Sequence, residues 1–116
     1  MLNRAMDSPD ETRTFDHGQA EIVKIGDRTV GRYTFQRGWK WSGSVNPIAK
    51  TDSCQVHHVG YVLTDHLHVV SEDGGEAHLG PGETYDIEPG HDAWVVGDET
   101  FSGVEFAGAK TYAKGD

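Results

Sequence analysis

The sequence predicts an all-β barrel, and three observations carry that reading. Turn signals recur about every 8–12 residues between short runs of β-favouring residues. The 15 glycines of the 116-residue chain suit tight turns between strands. No stretch reads as a helix of three turns, and no repeat of fixed period is visible.

Taken in order, residues 1–19 read as a flexible N-terminal arm, because Asp7, Ser8, Pro9, Asp10 and Glu11 are poor strand and helix material. Residues 20–116 are the expected barrel domain. Ile22–Ile25 is a short strand run, and Gly26-Asp27 supplies a turn. Thr29–Gln36 follows as a strand through Val30, Tyr33 and Phe35. Gly38–Lys50 is irregular, with Trp39 and Trp41 spaced so that both face one side. They either seal one end of the core or wall a ligand cavity or subunit interface. Ser53–Leu63 is the longest strand run, with Val56, His58, Gly60 and Val62 on one face and His57, Val59, Tyr61 and Leu63 on the other. Leu67–Ser71 returns, and Glu72-Asp73-Gly74-Gly75 is a strong hairpin turn. Glu76–Leu79, Thr84–Glu88, Asp92–Val96 and Phe101–Phe106 complete the strands.

Composition excludes several classes of function. The formal net charge is -9, and the ten basic residues form no stripe, so nucleic acid and anionic membrane surfaces are not expected partners. No run approaches a transmembrane length. Cys54 is the only cysteine, so no internal disulfide forms. The first 15 residues carry no apolar run of the signal-peptide kind, and a cytoplasmic location is the expectation.

Three turn motifs in order carry a family resemblance: Tyr61-Val62-Leu63, then Leu79-Gly80-Pro81-Gly82-Glu83, then Ile87-Glu88-Pro89-Gly90-His91. Over about residues 30–106 the chain resembles small single-domain bacterial cupins of unassigned function. The resemblance implies a double-stranded β-helix, or jelly-roll barrel, that is often a homodimer. Cupins commonly place two histidines and a glutamate in a first metal motif and a histidine in a second. Carried onto this chain, those positions fall on Asp52, Cys54, His58 and Ala93, with His91 two residues before the last. A usual iron or manganese site is therefore not expected.

The residues themselves leave a softer site open. Carboxylate, thiolate and imidazole are all metal donors, and thiolate with imidazole leans towards zinc or another softer metal, with zinc, iron and manganese all open as the ion. Asp52, Cys54 and His58 share a face if the strand is regular, and His91 can bend in from its loop as a fourth ligand. The alternative is an inert buried Cys54 and a hydrogen-bonded core His58. His57 lies on the opposite face unless a bulge intervenes. His66 and His68 form a His-x-His pair suited to a surface or interface, and His17 and His78 read as surface residues. Asp86 and Glu88 read as an outer solvated face. No nucleophile elbow or phosphate-cradling loop is present.

Two functions follow. One is a barrel that binds a small polar ligand without the usual metal site, its pocket formed by His58, Val62, Trp39 and Trp41. The other is a metal-dependent small-molecule enzyme, such as a dioxygenase or isomerase, with an atypical site of Asp52, Cys54, His58 and His91. A homodimer is expected in both, with Trp39, Trp41 and the arm as interface candidates.

Overall fold

The computed structural model describes residues 1–109. Among the described residues nine strands form two antiparallel sheets: β1 (Glu11–Phe15), β2 (Gly18–Ile25), β3 (Arg28–Phe35), β4 (His58–Thr64), β5 (Leu67–Ser71), β6 (Glu76–Leu79), β7 (Thr84–Ile87), β8 (His91–Val95) and β9 (Phe101–Ala107). The larger sheet runs β1-β2-β3-β9-β4-β7, and the smaller runs β6-β5-β8. The only helices among the described residues are single turns, α1 (Trp41–Ser44) and α2 (Asn46–Ala49). This is the all-β architecture that the turn spacing predicts.

Alternation along the strands sets the inward faces. Gly31, Tyr33 and Phe35 of β3 point in, as do His58, Gly60 and Val62 of β4 and Phe101, Gly103 and Glu105 of β9. Leu67 and Val69 of β5 and His91 and Ala93 of β8 meet them from the smaller sheet. Phe35 lies flat on Trp39, with ring centroids 3.8 Å apart and planes 3° apart, and Phe101 packs behind at 5.6 Å. Each such buried aromatic contributes roughly 1.5–3 kcal/mol through the area it removes from water.

Two glycines are required by geometry. A Cβ at Gly60 would sit 2.5 Å from the Val104 carbonyl oxygen and 2.6 Å from the Tyr85 hydroxyl, so β4 lies too close to its neighbours for any side chain. Gly90 holds a φ of 90° in the turn before β8, a conformation that glycine adopts without strain.

The structure differs from the sequence reading in three places. Residues 11–15, inside the segment expected as an arm, form the edge strand β1, paired from Glu11↔Ile22 to Phe15↔Gly18. Arg13 anchors it through Glu11 and the Ala109 carbonyl, and Phe15 packs on Phe35. The segment before it is tied down where Arg4 binds Asp10 and the Lys24 carbonyl. Residues 38–50 carry the two helical turns, closed by Lys50 in the left-handed conformation. Residues 53–57 are not strand. Cys54 makes only an isolated bridge to His91, and β4 starts at His58.

Candidate functional site

The interruption of the strand before His58 builds the site. The Cys54 N–H donates to the His91 carbonyl at 2.7 Å, and the Gly90 N–H donates to the Cys54 carbonyl at 2.7 Å. This backbone bridge clips Cys54 beside the first residue of β8. The chain then turns into β4, whose inward alternation points His58 back toward the same place. Cys54, His58 and His91 are 1%, 4% and 4% exposed, and one donor atom from each lies within 4.8 Å of the others. Cys54 Sγ is 3.5 Å from His58 Nε2.

Both imidazoles are held by their Nδ1 atoms. His58 Nδ1–H donates to Glu105 Oε1 at 2.6 Å, and His91 Nδ1–H donates to the Glu88 carbonyl at 2.7 Å. In each ring the other nitrogen, Nε2, is left for the centre. The Tyr85 hydroxyl donates to the second carboxylate oxygen of Glu105 at 2.7 Å. A buried Tyr85–Glu105–His58–Cys54 chain thus runs across three strands and the loop.

The electrostatics follow from that chain. Burial pushes the Cys54 thiol up, but hydrogen bonds and charge from His58 and His91 outweigh it and bring the thiol down to about 7. Burial pushes His58 down, yet the Glu105 charge and its bonds to Cys54 and Glu105 raise it to about 10. Burial, reinforced by Glu105, holds the Tyr85 phenol far above its ordinary value. Near neutral pH the metal-free pair is therefore an imidazolium beside a partly ionised thiol.

His58, His91 and Glu105 line a small cavity that opens to solvent at its mouth. Its walls are mainly aromatic: Phe35, Trp39, Trp41, Tyr85 and Phe101. His91 also lines a wider pocket with Asp86 and Glu88.

Of the residues singled out from sequence, Cys54, His58 and His91 come together. Asp52 is exposed and stands outside the group, because the segment that carries it is not a regular strand. Ala93 lines the cavity but offers no donor. Trp39 and Trp41 line it too, each 2% exposed, so they face the interior and not a partner subunit. Val62 is fully buried in the core and is not part of the cavity wall. His57 is exposed and pairs with Asp86 at 2.5 Å, Glu88 being nearby. His66, His68 and His78 gather on the smaller sheet, with His68 opposite His78.

Glu105 and Tyr85 are site residues that the sequence reading missed. A signal for Glu105 existed: it falls in step with the inward residues Phe101 and Gly103, and a carboxylate at such a position needs a partner.

No family model matches the chain, and no curated protein matches it in sequence. Solved structures do share its fold. A Cupin 2 conserved barrel domain protein from Salinispora arenicola superposes with a TM-score of 0.60 at 15% identity, over 90% of this chain and 86% of that one. The polyketide cyclase RemF from Streptomyces resistomycificus gives 0.65 at 16% identity, over 94% and 80%. KdgF from Halomonas sp. gives 0.57 at 17% identity, over 84% and 86%.

Proposed function

The fold is that of the cupins, and we propose that its interior is a zinc-type centre held by Cys54, His58 and His91, acting on a small molecule in the aromatic cavity. The observation that supports this most is the donor geometry. A tetrahedral site with one sulfur and imidazole nitrogens at ordinary zinc bond lengths has a sulfur–nitrogen edge of about 3.6 Å, against 3.5 Å between Cys54 Sγ and His58 Nε2. One thiolate and two imidazoles fit zinc by softness, and three protein ligands leave a position open, as catalytic zinc sites do. When bound, the ion would supply Lewis acidity toward an oxygen of the ligand.

The remaining roles belong to the chain. Glu105 orients the His58 ring and sustains its basicity, while the Glu88 carbonyl fixes His91. Tyr85 takes up the second oxygen of Glu105, so the carboxylate stays aimed at His58. The aromatic walls give His58 and His91 a mainly apolar surrounding where they meet the cavity.

A second reading keeps the same cavity for a metal-free ligand, favoured by the Cys54–His58 contact, since thiolate and imidazolium pair without an ion. Metal content and melting separate the two. Protein purified without a metal-affinity tag should carry one equivalent of zinc. Zinc at a hundredfold excess over Kd should stabilise it by about 2.7 kcal/mol, and Cys54→Ala or His58→Ala should abolish that gain. Metal-free protein whose melting zinc does not change would end the zinc proposal and leave the second reading.

A further inference from the structure

The larger sheet has an outer face that the chain covers only in part. By the pairing register, Glu21 and Val23 of β2 lie opposite Arg32 and Val30 of β3 on that face. Val23 is 2% exposed, and the segment before β1 is tied down beside it: Asp7 pairs with Arg32 at 3.0 Å, and Arg4 donates to the Lys24 carbonyl at 2.8 Å. Among the described residues that cover stops at β3. Beyond it, Val104 of β9 and Val59 and Tyr61 of β4 alternate with the inward residues and so face out. The β4–β9 ladder has two irregularities, and the extra residues are Leu63 in β4 and Phe106 in β9. Either position would take a polar side chain without loss to the core, yet both are large and apolar. Leu63 is 45% exposed, Phe106 62% and Tyr61 39%. No charge interrupts the patch: the register puts Arg32 on its β3 border and Asp86 on its β7 border.

We propose that this outer β9–β4 face docks a second copy of the chain, the two copies forming a two-fold dimer with their larger sheets face to face. Trp39 and Trp41 face the interior, so a dimer needs another surface, and this face has the area for one. With 150–250 Å² for a whole aromatic side chain, Phe106 and Tyr61 leave roughly 200 Å² uncovered, and Leu63, Val59 and Val104 bring the patch to about 300 Å². A dimer at the small end of stable interfaces buries about 600 Å² per partner, a little over half of it apolar. The patch supplies that apolar centre, and the polar side chains on its borders supply the rim. A second copy also brings the matching shape, because sheets pack face to face in aligned sandwiches. The two-fold operation sets the same apolar side chains against each other. The net charge of -9 on each copy is screened over about 8–10 Å at physiological salt and lies outside the patch.

Sedimentation velocity tests this with wild type, Phe106→Asp, Leu63→Asp and Val96→Asp. At about 50 µM, above the micromolar Kd ordinary for a small interface, wild type should sediment at twice the protomer mass. Phe106→Asp and Leu63→Asp should each raise the dimer Kd by at least about a hundredfold, because the two-fold axis applies each substitution twice. Val96 is 49% exposed but follows β8 of the smaller sheet, so Val96→Asp should leave the dimer intact. All three side chains are exposed, and a far-ultraviolet spectrum matching wild type verifies the fold of each variant. The interior cluster of Cys54, His58 and His91 is untouched in every arm, so the result does not depend on the zinc reading. A monomeric wild type would overturn the proposal whatever the variants do. A dimer that survives Phe106→Asp or Leu63→Asp, or that is lost equally in Val96→Asp, would overturn it too. A wild-type monomer that adsorbs to phosphatidylcholine vesicles, and ceases to in Phe106→Asp, would give the face to lipid instead.

Discussion

Loading zinc into the metal-free protein should release protons in an amount set by the Cys54–His58 pair. The ion needs a thiolate and a neutral imidazole. Cys54 is brought down to about 7, so near neutral pH it is partly ionised and surrenders a fraction of a proton. His58 is raised to about 10, so it surrenders about one. The sum lies between about one and two protons near pH 7 and falls toward one as rising pH ionises the thiol. Protons compete with the ion, so affinity must rise with pH, with log K climbing by about one to two per unit near neutrality. Isothermal titration calorimetry in buffers of different ionisation enthalpy reads the proton count directly. Release well below one proton at both pH 7 and pH 8 would refute the thiolate–imidazolium picture.

Other perturbations probe the parts separately. Glu105→Gln removes the charge behind His58 and should weaken zinc binding by roughly 10–100-fold, measured by competition with a chelator dye, while the barrel stays folded. An unchanged Kd would show that Glu105 does not support the ligand. Asp52→Ala should leave zinc affinity untouched, since Asp52 is exposed and outside the cluster. A tenfold loss would bring Asp52 back as a ligand. Gly60→Ala forces a methyl group against the Val104 carbonyl and the Tyr85 hydroxyl and should destabilise the fold by about 1–3 kcal/mol in urea. A wild-type midpoint there would mean that β4 has room to spare.

Local chemistry explains which parts were legible in the sequence. Hairpin turns announce themselves through residues that tolerate positive φ, and the run from Leu67 to Phe106 accordingly reads closely as it folds. Alternation in β4 was equally readable and grouped His58, Gly60 and Val62 on one face, which the fold turns inward. The N-terminal strand was hidden because Glu11–Phe15 gains its order from pairing with β2 and from Arg13 reaching Ala109, contacts far apart in sequence. The site was half legible for the same reason. Even spacing grouped Asp52 with Cys54 and His58, but that argument holds only on a regular strand. The backbone bridge between Cys54 and His91 replaces the strand: it leaves Asp52 exposed and brings in His91, the loop residue expected as a fourth ligand. Glu105 lies 47 residues from His58, and only the β4–β9 pairing brings them together.

Cobalt substitution tests the zinc-type centre most directly, because the spectrum reports the donors themselves. One equivalent of cobalt(II) added to metal-free protein should give the intense visible bands of a tetrahedral ion and a near-ultraviolet sulfur-to-cobalt charge-transfer band from Cys54. The charge-transfer band should be lost in Cys54→Ser, and the tetrahedral bands should be lost in His58→Ala and in His91→Ala. Zinc should bleach the wild-type spectrum. The weak bands of octahedral aqueous cobalt in the wild type, or a charge-transfer band that survives Cys54→Ser, would contradict the assignment of Cys54, His58 and His91 as a metal centre.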